Sequence, residues 1–431
     1  MEEVTDEPLY LERVCGIDIG KAGLEACIRV PSDASPARRA QEVRSFGTTK
    51  RELLALADWL CCWGVTDVVM ESTGDYWKGP FYRLEAEGLD CVLADAKQVR
   101  HLPGRPKNDR ADARWLAVCF ERGAITPCFV ATAEFRLIRL NTRYRRDLIA
   151  ERTREKQRAE KLLESAALKL SSVISDLHGV TGRDIMNHLI AGERNPKALA
   201  QLARATARRK IPQLEEALEG AEFFTPVHAG LLSAMLTRID RAASDIDQVS
   251  QVIEQLLAPY EEQLQQVEGM PGWGRRSAQD AIAETGADMT RFRTPAHLVS
   301  WAGRSPLDQQ SAGKNTRRAK VKKGNRYLGC VLGETAISAG RTQTREGARY
   351  RRLARRRGKA KAQVALGNTQ LKVYHALLSA PGLRYQDLGA DYYDRRHTRR
   401  QVRTHIQRLE SLGFQVTLTP LPDVTTCPEV A

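Results

Sequence analysis

The chain has 431 residues and a formal net charge of +14, from 67 Lys and Arg against 53 Asp and Glu. At 42% hydrophobic, 28% charged and 6% aromatic, it reads as a soluble, helix-rich protein of several domains. No apolar run approaches the roughly 18 residues of a membrane span, and the acidic start MEEVTDEPLYLE lacks the basic and apolar regions of a signal peptide, so a cytoplasmic protein without membrane contact is predicted. Nine cysteines, with Cys61 and Cys62 adjacent and no C-x-x-C pair, predict reduced thiols, neither a disulfide framework nor a zinc site. The eight histidines are scattered without metal-binding spacing.

After an N-terminal tail (1–13), the apolar run Val14–Ile19 predicts a strand, Ala26–Val30 a second and Glu42–Phe46 a third. Helical spacing of Leu53, Leu54, Leu56, Ala57 and Leu60 follows, then a buried strand at Val65–Glu71, a helix at Phe81–Glu87 and a short strand at Cys91–Ala94. Strands first in a run and then alternating with helices predict a mixed sheet covered by helices, an α/β domain over 14–165. From about 130 to 265 the pattern is almost wholly helical. Ile239, Ala242, Ile246, Val249, Ile253, Leu256 and Tyr260 recur at spacings of three and four, and the seam continues back to Leu232 and Met235. It predicts a helical or coiled-coil arm over 166–264, packed against its own chain or a second protomer and ending or bending at Pro259.

Gly269-Met-Pro-Gly-Trp-Gly274 then precedes a helical run, Ser277–Glu284, closed by Gly286, which opens a mainly helical domain over 265–380. This turn is either a helix–helix connection or, like one turn of a helix-hairpin-helix, a seat for a phosphate on backbone N–H groups around Gly272 and Gly274. Trp273 reads as a core residue or as a platform for a base. An extension over 381–431 carries a charged helix, Arg395–Leu412, and an alternating strand, Gln415–Leu418. No internal repeat is visible.

Charge is unevenly placed. Residues 311–361 hold 17 Lys and Arg against Glu334 and Glu346, a net +15 that leaves the rest of the chain near −1. A solvated helix face would carry acids for i,i+4 pairing, and here they are nearly absent. So dense a stripe is the footprint of a polyanion, with Lys314, Arg317, Arg318, Lys320, Lys322, Lys323 and Arg326 as candidate contacts.

Four carboxylates stand where a metal site would need them. Asp18 lies between Ile17 and Ile19 in a strand, a costly place for an acid unless it is paired or binds a cation. Glu71 ends the apolar run Val68-Val-Met70, at a strand's C-terminal edge. Asp109 and Asp112 precede Trp115-Leu-Ala-Val118, and i,i+3 spacing puts both on one helix face. Converging, the four can hold two Mg²⁺ ions across a phosphodiester. Singly, each has a plainer reading: Asp109 or Asp112 as a helix N-terminal acid, Glu71 as a surface residue. Lys21, Arg105, Lys107 and Arg110 surround them with positive charge suited to phosphates.

These pieces resemble, in order, the transposases of the insertion sequence one-ten family: G-I-D-I-G-K (16–21), M-E-S-T-G-D-Y (70–76), K-N-D-R-A-D-A-R-W-L-A (107–117), G-M-P-G-W-G (269–274), L-V-S-W-A-G-R-S-P (298–306), Q-S-A-G-K (310–314) and K-K-G-N-R-Y-L (322–328). The resemblance implies an RNase H-like (RuvC-like) domain with Asp18, Glu71, Asp109 and Asp112 as its DEDD set. It also implies a C-terminal transposase domain whose serine forms a covalent phosphoserine link to DNA. By position that serine is Ser311, although the family reads Ser-Gly or Ser-Ser-Gly where this chain has Ser311-Ala312-Gly313. Ser305, which reads as a turn residue, and Ser277, in a first helical turn, are the competitors. No carboxylate neighbours Ser311 in sequence, so activation by the Mg²⁺ site, and hence a composite site, is expected. The resemblance further implies a structured guide (bridge) RNA pairing with donor and target DNA, a homo-oligomer (dimer or tetramer), and action in the bacterial cytoplasm or nucleoid. The competing readings are a RuvC-like nuclease using water, a non-catalytic nucleic-acid-binding protein, and a DNA invertase close to the same family. No P-loop (G-x-x-x-x-G-K-[ST]) is present, in keeping with strand exchange that needs no ATP.

Overall fold

The sequence alternation along Val14–Ile19 (β1) sorts its side chains between two cores. Cys15, Ile17 and Ile19 pack with Leu53, Leu56 and Leu60 of Lys50–Cys62 (α1), while Val14 packs with Ala113, Leu116 and Ala117 of the helix Asp109–Glu121. Around β1 the computed structural model builds a five-stranded sheet, to which Gly23–Ser32 (β2), Ser35–Gly47 (β3), Asp67–Glu71 (β4) and Asp90–Ala94 (β5) contribute in the order β3-β2-β1-β4-β5. The first three strands form an antiparallel meander, and β4 and β5 join parallel to β1 through helical crossovers. Lys78–Ala86 (α2) lies with α1 against one face, and Asp109–Glu121 (α3) covers the other. This is the mixed sheet with flanking helices of an RNase H-like domain. Strands β2 and β3 run longer than their apolar patterns suggest, because β3 is an edge strand whose Arg39, Glu42 and Arg44 interrupt the alternation. The structure describes residues 11–32, 35–72, 74–95, 108–306, 310–311, 314–315, 321–396 and 398–419.

This sheet belongs to the first of two compact units, Met1–Ala133, and the second is Glu134–Ala431. The second opens with a long helix, Ala133–Ser165 (α4), paired antiparallel with Pro226–Leu257 (α5). The direction follows from three contacts: Phe135 meets Tyr260 at 5.0 Å, Glu155 meets Arg238 at 3.7 Å, and Leu163 shares a core with Leu232. Short helices between residues 170 and 224 fill that core with Ile185, Leu199, Leu214 and Phe224. Along the expected seam, Leu232, Ile239, Ile246 and Ile253 are buried, whereas Ala242, Val249 and Leu256 are half-buried. Straight helices drift relative to a seven-residue repeat, so Leu236 and Leu257 take over as buried positions. At Pro259 the helix gives way to a single tighter turn, Ala258–Tyr260.

The remainder is helical: Glu261–Glu268 (α6), Arg275–Thr285 (α7), Pro295–Trp301 (α8), Arg326–Ala339 (α9), Arg345–Arg357 (α10) and Lys359–Leu378 (α11), with a ribbon of Gln310–Ser311 (β6) and Lys314–Asn315 (β7) between α8 and α9. Tyr392–Arg396 (α12) and Thr398–Glu410 (α13) follow. The charged helix of the extension is therefore present among the described residues on either side of position 397. The strand expected at Gln415–Leu418 is not formed. No described strand lies beside it to complete its ladder, and Phe414 and Leu418 stay exposed. The eight described cysteines are free thiols. No helix among the described residues is long and apolar enough to cross a membrane.

Candidate functional site

Period-2 alternation places Asp18 on the same sheet face as Val14 and Gly16, the face covered by α3. On β4, Val68 and Met70 pack toward α1, and Val69 packs toward α3, so Glu71 also points to the α3 face. The parallel register pairs Val14 with Asp67 and Ile17 with Met70. Its continuation sets Asp18 beside Glu71, one strand spacing of about 4.8 Å away in the backbone. Glu71 is buried and Asp18 half-buried.

Helix α3 runs antiparallel to β1. Its end lies at the strand's beginning, where Leu11 N donates to Glu121 O at 3.3 Å. Its first turn, capped by Asn108 accepting from Ala111 N at 2.9 Å, therefore lies at the Asp18 end of the strand and carries Asp109 and Asp112. Gly16 makes this close packing possible: a Cβ there would collide with the Ala113 carbonyl and the Ala117 backbone nitrogen. The four acids of the sequence reading thus share one face and one end of the sheet. Asp109 is exposed and Asp112 half-buried. Their side chains do not close on a common point, since no group of three or more His, Cys, Asp or Glu among the described residues is disposed to hold a metal ion. The donor set fits a hard cation in chemistry, being carboxylate oxygen throughout with no Cys or His ligand.

A further acid, which the sequence reading passed over, joins the row. Glu25 on β2 is the direct antiparallel partner of Asp18, so the two carboxylates lie on the same face. Like charges placed opposite each other are unfavourable, and Glu25 turns to compensating partners: Ser45 Oγ donates to it at 2.5 Å and Arg110 Nε lies 3.6 Å away. Its second oxygen is buried without a hydrogen bond. In sequence Glu25 sits inside Leu24-Glu-Ala-Cys27, and only strand pairing brings it to Asp18. Arg110, read as a phosphate contact, donates to the Val43 carbonyl at 3.0 Å and stands as a counter-charge 3.6 Å from Glu25. Lys21 is exposed in the tight β1–β2 turn. Arg105 and Lys107 lie outside the described residues.

In the second unit, Ser311 pairs with Lys314 and Gln310 with Asn315, while Pro306 bridges Val321 lower down. Ser311 is therefore the last paired position on the outgoing side of a two-stranded hairpin, next to its tip. The base is fixed where Gly303 and Gly324 cross backbone to backbone, so the family motifs at 298–306 and 322–328 meet there. Asn325 caps α9, accepting from Tyr327 N and Leu328 N, and donates to Glu284 Oε2 at 2.6 Å. Glu284, buried on α7, also takes a two-pronged contact from Arg143 of α4, at 2.8 Å on each oxygen. Next to it Asp280 meets Arg145 at 2.7 Å, although burial still raises its carboxyl pKa. The sequence reading missed this anchor. Its trace in the sequence is the i,i+4 pair Asp280 and Glu284 beside the apolar Ala278, Ala281, Ile282 and Ala283, with an Arg-rich α4 to pair them.

Ser305 lies in a bend and Ser277 in the first turn of α7, as expected. Lys322, Lys323 and Arg326 are exposed at the foot of the hairpin; Arg317, Arg318 and Lys320 lie outside the described residues. Of the Gly269–Gly274 turn, Gly274 is exposed at the α7 N-terminus. Gly272 has positive φ and packs so closely on α9 that a Cβ would strike the Thr335 carbonyl. Trp273 is buried and stacked on Tyr374 at 5.9 Å, a core residue. The turn is locked from outside by Arg275, which meets Glu254, Glu261 and Glu268 at 2.6, 2.6 and 3.2 Å.

Comparison with known proteins finds two family models along the chain. A DEDD transposase family model, described as Transposase, matches residues 15–167, which spans the sheet, α3 and α4. A second, described as Transposase IS116/IS110/IS902 family, matches residues 264–351, from the end of α6 into α10. No curated protein matches the chain. The two family models together cover more than half of the 431 residues, in the order that the motifs predict. The chain belongs to the IS110 family of transposases, enzymes that act on DNA.

Proposed function

We propose that this transposase cuts and rejoins DNA strands through Ser311, with Asp18, Glu71, Asp109 and Asp112 as metal-binding acids and a structured guide RNA directing it to donor and target DNA. The observation that carries the reading is the register that sets Asp18 beside Glu71 under the first turn of α3. Oxygen-only ligands suit Mg²⁺, and two ions are the natural complement for four carboxylates. Bound there, the metal would stabilise charge developing on the attacking and leaving oxygens of a phosphodiester. Support for Ser311 comes from its position in the paired ribbon, opposite Lys314 and within the basic segment, which would suit an approach to a backbone phosphate. The Ser311 hydroxyl oxygen would give up its proton and bond to phosphorus as the strand's P–O bond breaks, the departing deoxyribose oxygen taking up a proton as a free hydroxyl. The ester energy is thus kept in phosphoserine, and rejoining is the reverse exchange. The basic segment supports a polyanion partner and is compatible with RNA and DNA alike. A homo-oligomer would bring two DNA sites together.

The test is denaturing electrophoresis of end-labelled DNA incubated with the chain, its guide RNA and Mg²⁺, followed by peptide mapping of any adduct. The native chain should give a protein–DNA adduct mapping to Ser311. Ser311→Ala should bind nucleic acid yet give no adduct and no recombinant. Asp18→Asn and Asp112→Asn should do the same while folding normally. An adduct at Ser305 or Ser277 would reassign the nucleophile. Cleavage by Ser311→Ala at the native rate would establish the water-using nuclease instead.

A further inference from the structure

Beyond the region matched by the family models, the chain folds back to form the second wall of a groove. On one side stands α10, which carries seven arginines, with Arg352, Arg355 and Arg356 lining the cleft. On the other stand Tyr393 of α12 and Thr404 and His405 of α13. The cavity has a volume of about 640 Å³ and lies open to solvent. Helix α13 is itself basic, with four arginines against the single Glu410.

Two helices of like charge facing each other repel, and the fold supplies little to offset this. Glu346, the one acid of α10, is buried away from the groove. Asp394 is the one acid among the described lining residues, and it already has an interaction partner. Arg355 and Arg356 are exposed. Tyr393 holds the walls together by lying under the Arg352 guanidinium at 5.8 Å and accepting from Arg349 Nη1 at 3.4 Å. A cleft with a row of guanidinium groups on the α10 wall and a hydroxyl and an imidazole, Thr404 and His405, on the facing wall suits a linear polyanion rather than an apolar peptide.

We propose that this groove is a second DNA-binding site, in which the backbone of a DNA duplex lies between α10 and α13, with Arg355 and Arg356 on its phosphates. The assignment of DNA rests on the reading that the enzyme acts on DNA, and it extends the binding surface past the basic run into the C-terminal helices. The groove would hold flanking duplex in place without touching the reacting phosphate.

The experiment is fluorescence anisotropy of the full-length chain on a labelled mixed-sequence DNA duplex and, separately, on an RNA hairpin, over a series of KCl concentrations. For Arg355→Gln/Arg356→Gln the log–log salt slope on duplex DNA should fall in magnitude by about 1.8, about 0.9 for each phosphate no longer neutralised. Arg355→Lys/Arg356→Lys should restore it. From the opposite wall, Thr404→Glu/His405→Glu should weaken duplex binding by about tenfold at low salt. Combined with the arginine pair it should cost less than the product of the two effects, because both walls hold one duplex. An unchanged slope in the arginine pair, native affinity in the Thr404/His405 variant, or losses confined to the RNA hairpin would each overturn the proposal. Adduct formation at Ser311 in the same variants separates the two readings. An adduct without groove binding removes only the groove, and groove binding without an adduct removes only the serine chemistry.

Discussion

Burial holds the Glu346 carboxyl protonated up to about pH 7, well above its ordinary 4.5. Arg345 and Gln370 favour the ionised form, but neither carboxylate oxygen meets a partner in hydrogen-bond geometry, so desolvation wins. The direction of the linkage follows. The folded chain keeps this proton between about pH 4.5 and 7, where the unfolded chain has released it, so stability declines as pH rises across that window and is level above it. Glu346→Gln mimics the protonated form. It should be more stable than the native chain above pH 7, by up to ~3 kcal/mol, and indistinguishable from it below pH 4.5. Urea midpoints at the two ends of the range check this, and an equal difference at both ends would show an ordinary carboxyl. Asp18 announces itself in sequence because its neighbours are isoleucines. Glu25 and Glu284 do not, since what makes each unusual is a partner far along the chain: Asp18 across a strand pair for one, Arg143 on another helix for the other.

Among the elements, α3 is held by what β1 lacks. With no side chain at Gly16, the Ala113–Ala117 turn settles directly on the strand backbone and carries Asp109 and Asp112 to the strand's end. Gly16→Ala must push two backbones apart, because the atoms it meets are a carbonyl and a peptide nitrogen rather than a side chain that can move aside. The expected cost is about 1–3 kcal/mol of stability. On the proposed role of the acids, DNA cleavage should fall more than DNA binding, since the displaced helix carries two of the four. Chemical denaturation and hydrogen exchange along α3 measure the displacement; native stability would mean that the helix can slide without penalty. The strands and helices around this packing are legible as apolar runs and spacings. The lengths of β2 and β3 are not, because edge-strand charges mask the alternation.

At the scale of the whole molecule, the net charge of +14 is nearly the charge of one segment, residues 311–361. The described part of that segment lies in the second unit, at the foot of the hairpin and along α10. Replacing Lys320, Lys322 and Lys323 with Gln should flatten the log–log salt dependence of duplex binding by about 0.9 for each phosphate that these lysines neutralise. Titration by anisotropy reads the slope directly, and a slope equal to that of the native chain would place the polyanion away from the hairpin.

Sequence alone determined what local physics can encode. Alternating and helical periodicity marked the elements, the isolated acid among isoleucines marked a candidate site, and the ordered motifs marked a transposase of the IS110 family. The tertiary structure decided which distant groups meet. Backbone pairing set Glu25 opposite Asp18, a missing Cβ brought α3 onto β1, and the return of α13 opposite α10 turned a basic helix into a groove. Such meetings depend on register and close approach between segments far apart in the chain, and neither spacing nor composition within a segment carries that information.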